Sequence, residues 1–292
     1  MIDLDLFNYN HTGLAIDSDR SEWAEWSEIK WKNFRCHKFN DLVEQMGYPR
    51  YPDDLYPQTQ LFTVYAVPEE LNYAQFRENK SWFNIEVFHK YDHHSKVPPL
   101  ESIVPSEFLS SDLNGKFSGK LVYFSLGSMG TIDVCLMQRL VAILAETNHK
   151  YIVSKGPLHA QYQLASNMWG AEFLPQTTIV SAVDLVITHG GNNTVTEVFA
   201  KGKPMIVMPL FCDQYNNAQR ITETGYGARV DPYTCTAGEL CQTIERLLSD
   251  QVLEHKLKLA SERIALTNHH EELAELIEKK LTELQENKIV KN

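Results

Sequence analysis

The stretch Phe173–Arg220, FLPQTTIVSAVDLVITHGGNNTVTEVFAKGKPMIVMPLFCDQYNNAQR, decides the fold. It opens on an apolar-proline-glutamine corner, Phe173 to Gln176. Leu185 to Thr188 is a short β-branched run of the kind that fits a strand buried on both faces of a parallel sheet. The run ends on His189, and Gly190 and Gly191 follow at once. Asn193 and Thr194 then open a short helix that carries Glu197. A second apolar run, Met205 to Met208, leads through Pro209 to Asp213 and Gln214 at the head of another helix. Strand, glycine turn and helix start together make a phosphate site, because free backbone N–H groups and the positive helix end face one point. The glycines let the main chain approach a diphosphate closely.

Working outward, the same β/α alternation extends on both sides. Upstream, Leu121 to Leu126 (LVYFSL) reads as a buried strand, with Gly127-Ser128-Met129-Gly130 as the turn after it. Asp133 to Glu146 has helical apolar spacing, Tyr151 to Val153 reads as a strand broken by Gly156-Pro157, and a short strand is expected before Phe173. Downstream, Ala228 to Val230 is the last candidate strand. Helices are expected over Ala237 to Leu248, Val252 to Ala265 and Glu271 to about Gln285. The pattern predicts an α/β fold, a doubly wound parallel sheet whose ligands bind at the carboxyl ends of the strands. Gly127-Ser128, His189-Gly190-Gly191 and Asp213-Gln214 all follow strands and so can converge there.

The amino-terminal third is less regular. Ser21 is a candidate cap for a helix through Lys38, with Trp23, Trp26 and Phe34 near one face, read as packing residues. Asn40 is a candidate cap for a second helix, ended by Gly47 and Pro49. Tyr51 to Pro57 reads as a loop, Leu61 to Val67 as a strand stopped by Pro68, and Phe83 to Phe88 as another strand. His89, Asp92, His93 and His94 cluster in HKYDHH; the spacing matches no metal motif with a known mechanism, so it reads as a hydrated linker and no metal is assigned. The division expected is 1–96 as a partial amino-terminal domain, 97–119 as a proline- and glycine-bearing linker, and 120–292 as the sheet domain.

Composition limits the partners. The net charge of −11 argues against nucleic acid, while a phosphorylated ligand is held by local dipoles and is not excluded. Five cysteines, at 36, 135, 212, 235 and 241, are odd in number and form no CxxC pair, which favours a reducing compartment. No apolar run approaches a membrane span, and the start lacks the pattern of a signal peptide. Of three glycosylation tripeptides, at Asn10, Asn79 and Asn192, the last would place a glycan in the phosphate turn; a cytoplasmic location is expected.

The residues from Leu121 to about Leu248 resemble the donor-binding domain of the UDP-glycosyltransferases, enzymes of the GT-B fold. FLPQ, HGGNNT, Glu197 and PLFCDQ stand in the order of that family's signature, with FSLGS upstream. The interval from Phe173 to His189 is shorter than in plant and vertebrate members and is similar to the bacterial macrolide-type branch. The resemblance implies that His189 donates to the diphosphate and that Ser128, Asn193 and Thr194, beside Gly191, hold its oxygens. It implies that Glu197 takes the ribose hydroxyls, that Gln176 helps hold the uracil, and that Asp213 and Gln214 bind the sugar. It further implies inversion at the anomeric carbon, no metal and no cofactor, the UDP-sugar being a co-substrate, and a small, lipophilic acceptor. Phe173 stands where the family has the tryptophan that stacks on uracil, a smaller ring.

Taken singly, these residues also have plainer readings. Thr194-x-x-Glu197 is a capping box, His189 a satisfied core histidine, Asp213 a helix cap and the glycines a turn. No Gly-His turn after a first strand is found in the amino-terminal part, and His11 follows no strand and is not assigned as the base. The expectation is therefore a donor domain with part of an acceptor domain, binding UDP and transferring sugar poorly by itself, with exposed apolar surface favouring self-association. The alternatives are a UDP-sugar-binding fragment without catalysis and, less favoured, a UDP-sugar 2-epimerase.

Overall fold

A computed structural model describes residues 37–50, 62–78, 81–88, 98–110 and 119–289 of the 292. Its centre is a six-stranded parallel sheet made of β3 (Leu121–Ser125), β4 (Lys150–Ser154), β5 (Met168–Ala171), β6 (Leu185–Thr188), β7 (Met205–Val207) and β8 (Gly227–Arg229). The strands lie in the order β5-β4-β3-β6-β7-β8. Val122 of β3 stands between Tyr151 of β4 and Leu185 of β6, and the four central strands β4, β3, β6 and β7 are buried on both faces, which is why these segments read as continuous apolar runs. From β3 the chain winds to one edge through β4 and β5, then returns across to β6 and winds to the other edge. The order reverses between β3 and β6, and that reversal leaves a crevice at their carboxyl ends.

Three of the helices around the sheet start at side-chain caps. Asp133 Oδ1 accepts from the Leu136 N–H at 2.9 Å and opens α5 (Val134–Ala145), which buries Leu136, Met137, Leu140, Val141 and Leu144. The preceding turn, α4 (Gly127–Gly130), is a single helical turn where the sequence suggested a plain loop. Thr236 caps α9 (Ala237–Ser249) and Asp250 caps α10 (Gln251–Ala265) in the same way. The strands are further joined by α6 (Gln176–Ala182), α7 (Asn192–Ala200) and α8 (Gln214–Glu223); α11 (His269–Ile289) ends the described chain. Among the described residues no helix is long and apolar enough to cross a membrane.

On the amino-terminal side, α1 (His37–Gln45) begins before Asn40, so Asn40 lies inside that helix and does not cap it. Gly47, at φ +82°, ends it as expected, with the Tyr48 N–H on the Val43 carbonyl. β1 (Thr63–Tyr65) and β2 (Trp82–Asn84) pair in parallel and are shorter than the apolar runs suggested. The reason is Asn84: its Oδ1 accepts from the Val67 and Glu86 N–H groups and its Nδ2 donates to the Val67 carbonyl. A side chain thus takes the backbone groups that a longer ladder would use. α2 (Ala74–Arg77) connects the two strands.

The stretch expected as a linker is folded over 98–110, with a 3₁₀ turn at Leu100–Ser102, a buried Val104 and α3 (Ser106–Ser110), whose end is closed by Lys150 Nζ on the Phe108 and Leu109 carbonyls. The small sheet is fastened to the large one. Arg263 of α10 makes paired hydrogen bonds to Glu70 and to Glu86, Arg220 donates to the Leu71 carbonyl and stacks on Tyr73, and Tyr73 donates to Asn216 at 2.8 Å. The Ser21–Lys38 helix up to residue 36, the Tyr51–Pro57 loop, His11 and the HKYDHH cluster lie outside the described residues.

Candidate functional site

Ser125 and Thr188 are register partners at the ends of β3 and β6, so the turns that follow them start side by side. The His189 ring lies between those turns. A Cβ on Gly127 would stand 2.8 Å from its Cε1, and a Cβ on Gly191 would stand 2.6 Å from its Nε2. Both glycines are therefore required by the ring, and Gly127 also turns the chain at φ +69°. Burial pushes the His189 pKa below its ordinary value, and a hydrogen bond with the Ser125 backbone offsets this in part. Thr188 Oγ1 lies 3.4 Å from Nδ1. At neutral pH the ring is uncharged.

α7 begins immediately after Gly191, which has no side chain to cap it. The Asn192 N–H is taken by Asp213 Oδ2 at 3.3 Å. The N–H groups of Asn193 and Thr194 have no acceptor among the described residues. Two free donors at the positive end of a nine-residue helix, beside an uncharged imidazole, make an anion site. Ser128, exposed at the start of α4, stands next to Gly127 on the other wall.

The capping-box reading of Thr194 and Glu197 does not hold. The helix starts at Asn192, so both residues lie within it rather than at its cap. Instead they face α6: Gln176 Nε2 donates to Glu197 Oε2 at 2.7 Å and to Thr194 Oγ1 at 3.2 Å. Their spacing of three puts them on one helix face, where one amide reaches both. Gln176 Oε1 in turn accepts from the Tyr123 hydroxyl at 3.4 Å. Phe173, before α6, is 69% exposed and leaves a ring face open.

The plain helix-cap reading of Asp213 also fails. It occupies the position before α8, but its carboxylate makes no cap hydrogen bond and accepts from Asn192 N–H and from Asn217 Nδ2 (3.2 Å). Burial pushes its pKa up, and these donors, with its own N–H, pull it part of the way back. Gln214 is buried, and its Oε1 accepts from the Leu210 and Phe211 N–H groups. Only its amide nitrogen is left for another partner. Cys212, at φ +53°, bends the chain into this loop.

Three residues to which the sequence reading gave no binding role shape the site. Asn217 binds both the Gly190 carbonyl (2.8 Å) and Asp213, and its i,i+4 spacing from Asp213 was the signal available. Asn192 also reaches the Ala66 carbonyl at the end of β1, a contact with no sequence signal. Tyr123 sits inside an apolar run and reads as core. Among the described residues no three His, Cys, Asp or Glu side chains gather as metal ligands do.

The whole constellation suits a nucleoside diphosphate joined to a sugar: fixed N–H donors for the phosphates, an acceptor-only carboxylate for a diol, and a second carboxylate nearby. Residues 110–264 match the family model described as UDP-glucoronosyl and UDP-glucosyl transferase. UDP-glycosyltransferase 76H1 of Stevia rebaudiana is 29% identical over 201 residues, 58% of this chain and 46% of that protein. Human UDP-glucuronosyltransferase 3A1 is 31% identical over 100 residues, 34% of this chain and 19% of that protein. The chain thus spans half or less of the length of these relatives. Among solved structures, the glycotransferase of kitacinnamycin superposes with a TM-score of 0.66 at 22% identity, covering 88% of this chain and 62% of that one, a likeness of fold.

Proposed function

This chain belongs to the family of UDP-glucoronosyl and UDP-glucosyl transferases and has a GT-B type fold, and on that premise we propose that it binds a UDP-sugar in the β3/β6 crevice for transfer of the hexose to a small, lipophilic acceptor hydroxyl. The observation that carries the reading is the His189 ring seated between Gly127 and Gly191 beside the two free N–H groups of α7. In this reading those donors and Ser128 hold the diphosphate. Glu197 takes the ribose diol, while Gln176 and the exposed Phe173 ring flank the uracil. Asp213 accepts from sugar hydroxyls, and Gln214 offers its amide nitrogen.

The chemistry follows from charge. As the bond between the anomeric carbon and the phosphate oxygen breaks, its electron pair leaves on UDP, and negative charge grows where fixed donors wait. The acceptor oxygen forms the new bond from the opposite face, which inverts the centre, and its proton passes to a base that we do not assign. Metal-free catalysis, implied by the family resemblance, would place that whole charge on the protein's own donors.

A second reading, UDP-sugar binding without transfer, is favoured by the fact that the groups assigned at the crevice all serve the donor. Calorimetric titration with UDP and several UDP-sugars tests the common part. A UDP-release assay with UDP-glucose and a panel of phenols and alcohols then separates the two: glycoside formation supports transfer, and binding without turnover supports the second reading. Failure to bind UDP at all would remove both.

A further inference from the structure

Tyr123 is a tyrosine in the middle of the central strand, between Val122 and Phe124, and is 1% exposed. A buried hydroxyl without partners costs roughly 1–3 kcal/mol, so this one needs hydrogen bonds to be tolerated. It has one: its O–H donates to Gln176 Oε1 at 3.4 Å. This bond has a consequence beyond packing. An amide's two ends differ, and a donor placed at Oε1 turns Nε2 the other way, onto Glu197 Oε2 at 2.7 Å and Thr194 Oγ1 at 3.2 Å. One carboxylate oxygen of Glu197 is thereby committed to a charge-assisted bond. The other, Oε1, has no hydrogen-bond partner among the described residues.

We propose that Tyr123 is a positioning residue for nucleotide binding: through Gln176 it fixes the rotamer of Glu197 so that Oε1 is presented to the ribose diol. This rests on the reading of Glu197 as the ribose ligand. The core supplies the rigidity, since Tyr123 is held by its strand and Gln176 by the start of α6, so the carboxylate is oriented before ligand arrives. Preorganisation of this kind saves the ordering cost on binding.

The test compares UDP with 2′,3′-dideoxy-UDP, which lacks the diol, by calorimetry on the full chain. Tyr123→Phe keeps the ring and removes only the oxygen. It should weaken UDP binding by about 3- to 10-fold, the scale of one hydrogen bond, and leave the dideoxy analogue unchanged. Glu197→Gln should also weaken UDP selectively, and the double variant Tyr123→Phe/Glu197→Gln should bind UDP no more weakly than Glu197→Gln alone. If Glu197→Gln discriminates between the two ligands but Tyr123→Phe affects neither or both equally, the positioning role is wrong while the ribose reading stands. If Glu197→Gln fails to discriminate, the ribose reading falls and the positioning role with it.

Discussion

His189 is kept uncharged by burial at a point where a dianion is expected to sit. A bound diphosphate would stabilise the imidazolium, so UDP binding should take up protons, and affinity should strengthen as pH falls from about 8 towards the ordinary histidine range. Titrations in buffers of different ionisation enthalpy read this directly; zero proton uptake would show that the ring is not in contact with the phosphates. His189→Ala should weaken UDP by roughly 1.5–3 kcal/mol and leave uridine nearly unchanged. Asp213 shows the opposite kind of tuning. Its folded pKa lies above the usual carboxylate value, so its ionisation costs stability once pH has risen past the folded pKa, and that cost vanishes below the unfolded pKa. Asp213→Asn keeps an acceptor for the Asn192 N–H and should raise the melting temperature at neutral pH while lowering affinity for a UDP-sugar relative to UDP. An unchanged preference for the sugar would remove Asp213 from the site.

At the scale of elements, the site depends on two glycine turns that meet one side chain. Gly191 has an ordinary extended backbone, φ −59° and ψ 140°, so alanine there suffers only the collision with the His189 ring. Gly191→Ala should destabilise by about 1–3 kcal/mol, the scale of overpacking, and the loss should largely disappear in a His189→Ala background. Gly127→Ala should keep a penalty in both backgrounds, because φ +69° is itself unfavourable for a residue with a Cβ. Denaturant melts of the three single and two double variants supply the two cycles, and equal penalties for Gly191→Ala in both backgrounds would rule out the wedge. The strand ends at these turns were legible, and so were the helices that Asp133, Thr236 and Asp250 cap in the ordinary way, whereas α6 was not expected. The start of α7 was read one residue late, at Asn193 rather than Asn192, because a helix entered from a glycine leaves no capping side chain to fix it.

Across the whole molecule, the small sheet and the large sheet are joined by a charged clasp. Glu86, 2% exposed and at φ +58°, is bonded by Arg263, which also holds Glu70, and His269 lies 3.3 Å from it. Arg263→Ala would leave a buried carboxylate without its main partner. Since the Arg263 side chain is itself about a third exposed, water can replace part of the loss, and a cost of about 2–3 kcal/mol is expected. Thermal melts should show that fall while UDP affinity, which depends on residues that Arg263 does not bond, is retained; an undiminished melting temperature would mean that the clasp adds nothing to stability. Nothing in the sequence pointed to it, for Glu70, Glu86 and Arg263 are ordinary surface residues until tertiary packing brings them together.

The sequence by itself determined the α/β class, the parallel sheet, the positions of its strands and the placing of His189, Gly191, Asn193 and Asp213 just beyond strand ends. It could do so because buried parallel strands and their glycine turns depend on local residue type and spacing. Only the tertiary structure decided what the side chains do there. It turned Glu197 from a helix cap into the partner of Gln176, took up the carbonyl of Gln214, and drew Tyr123 out of the core reading into the site. A hydrogen bond between residues far apart in the chain has no period or spacing, so its partners are fixed by packing alone.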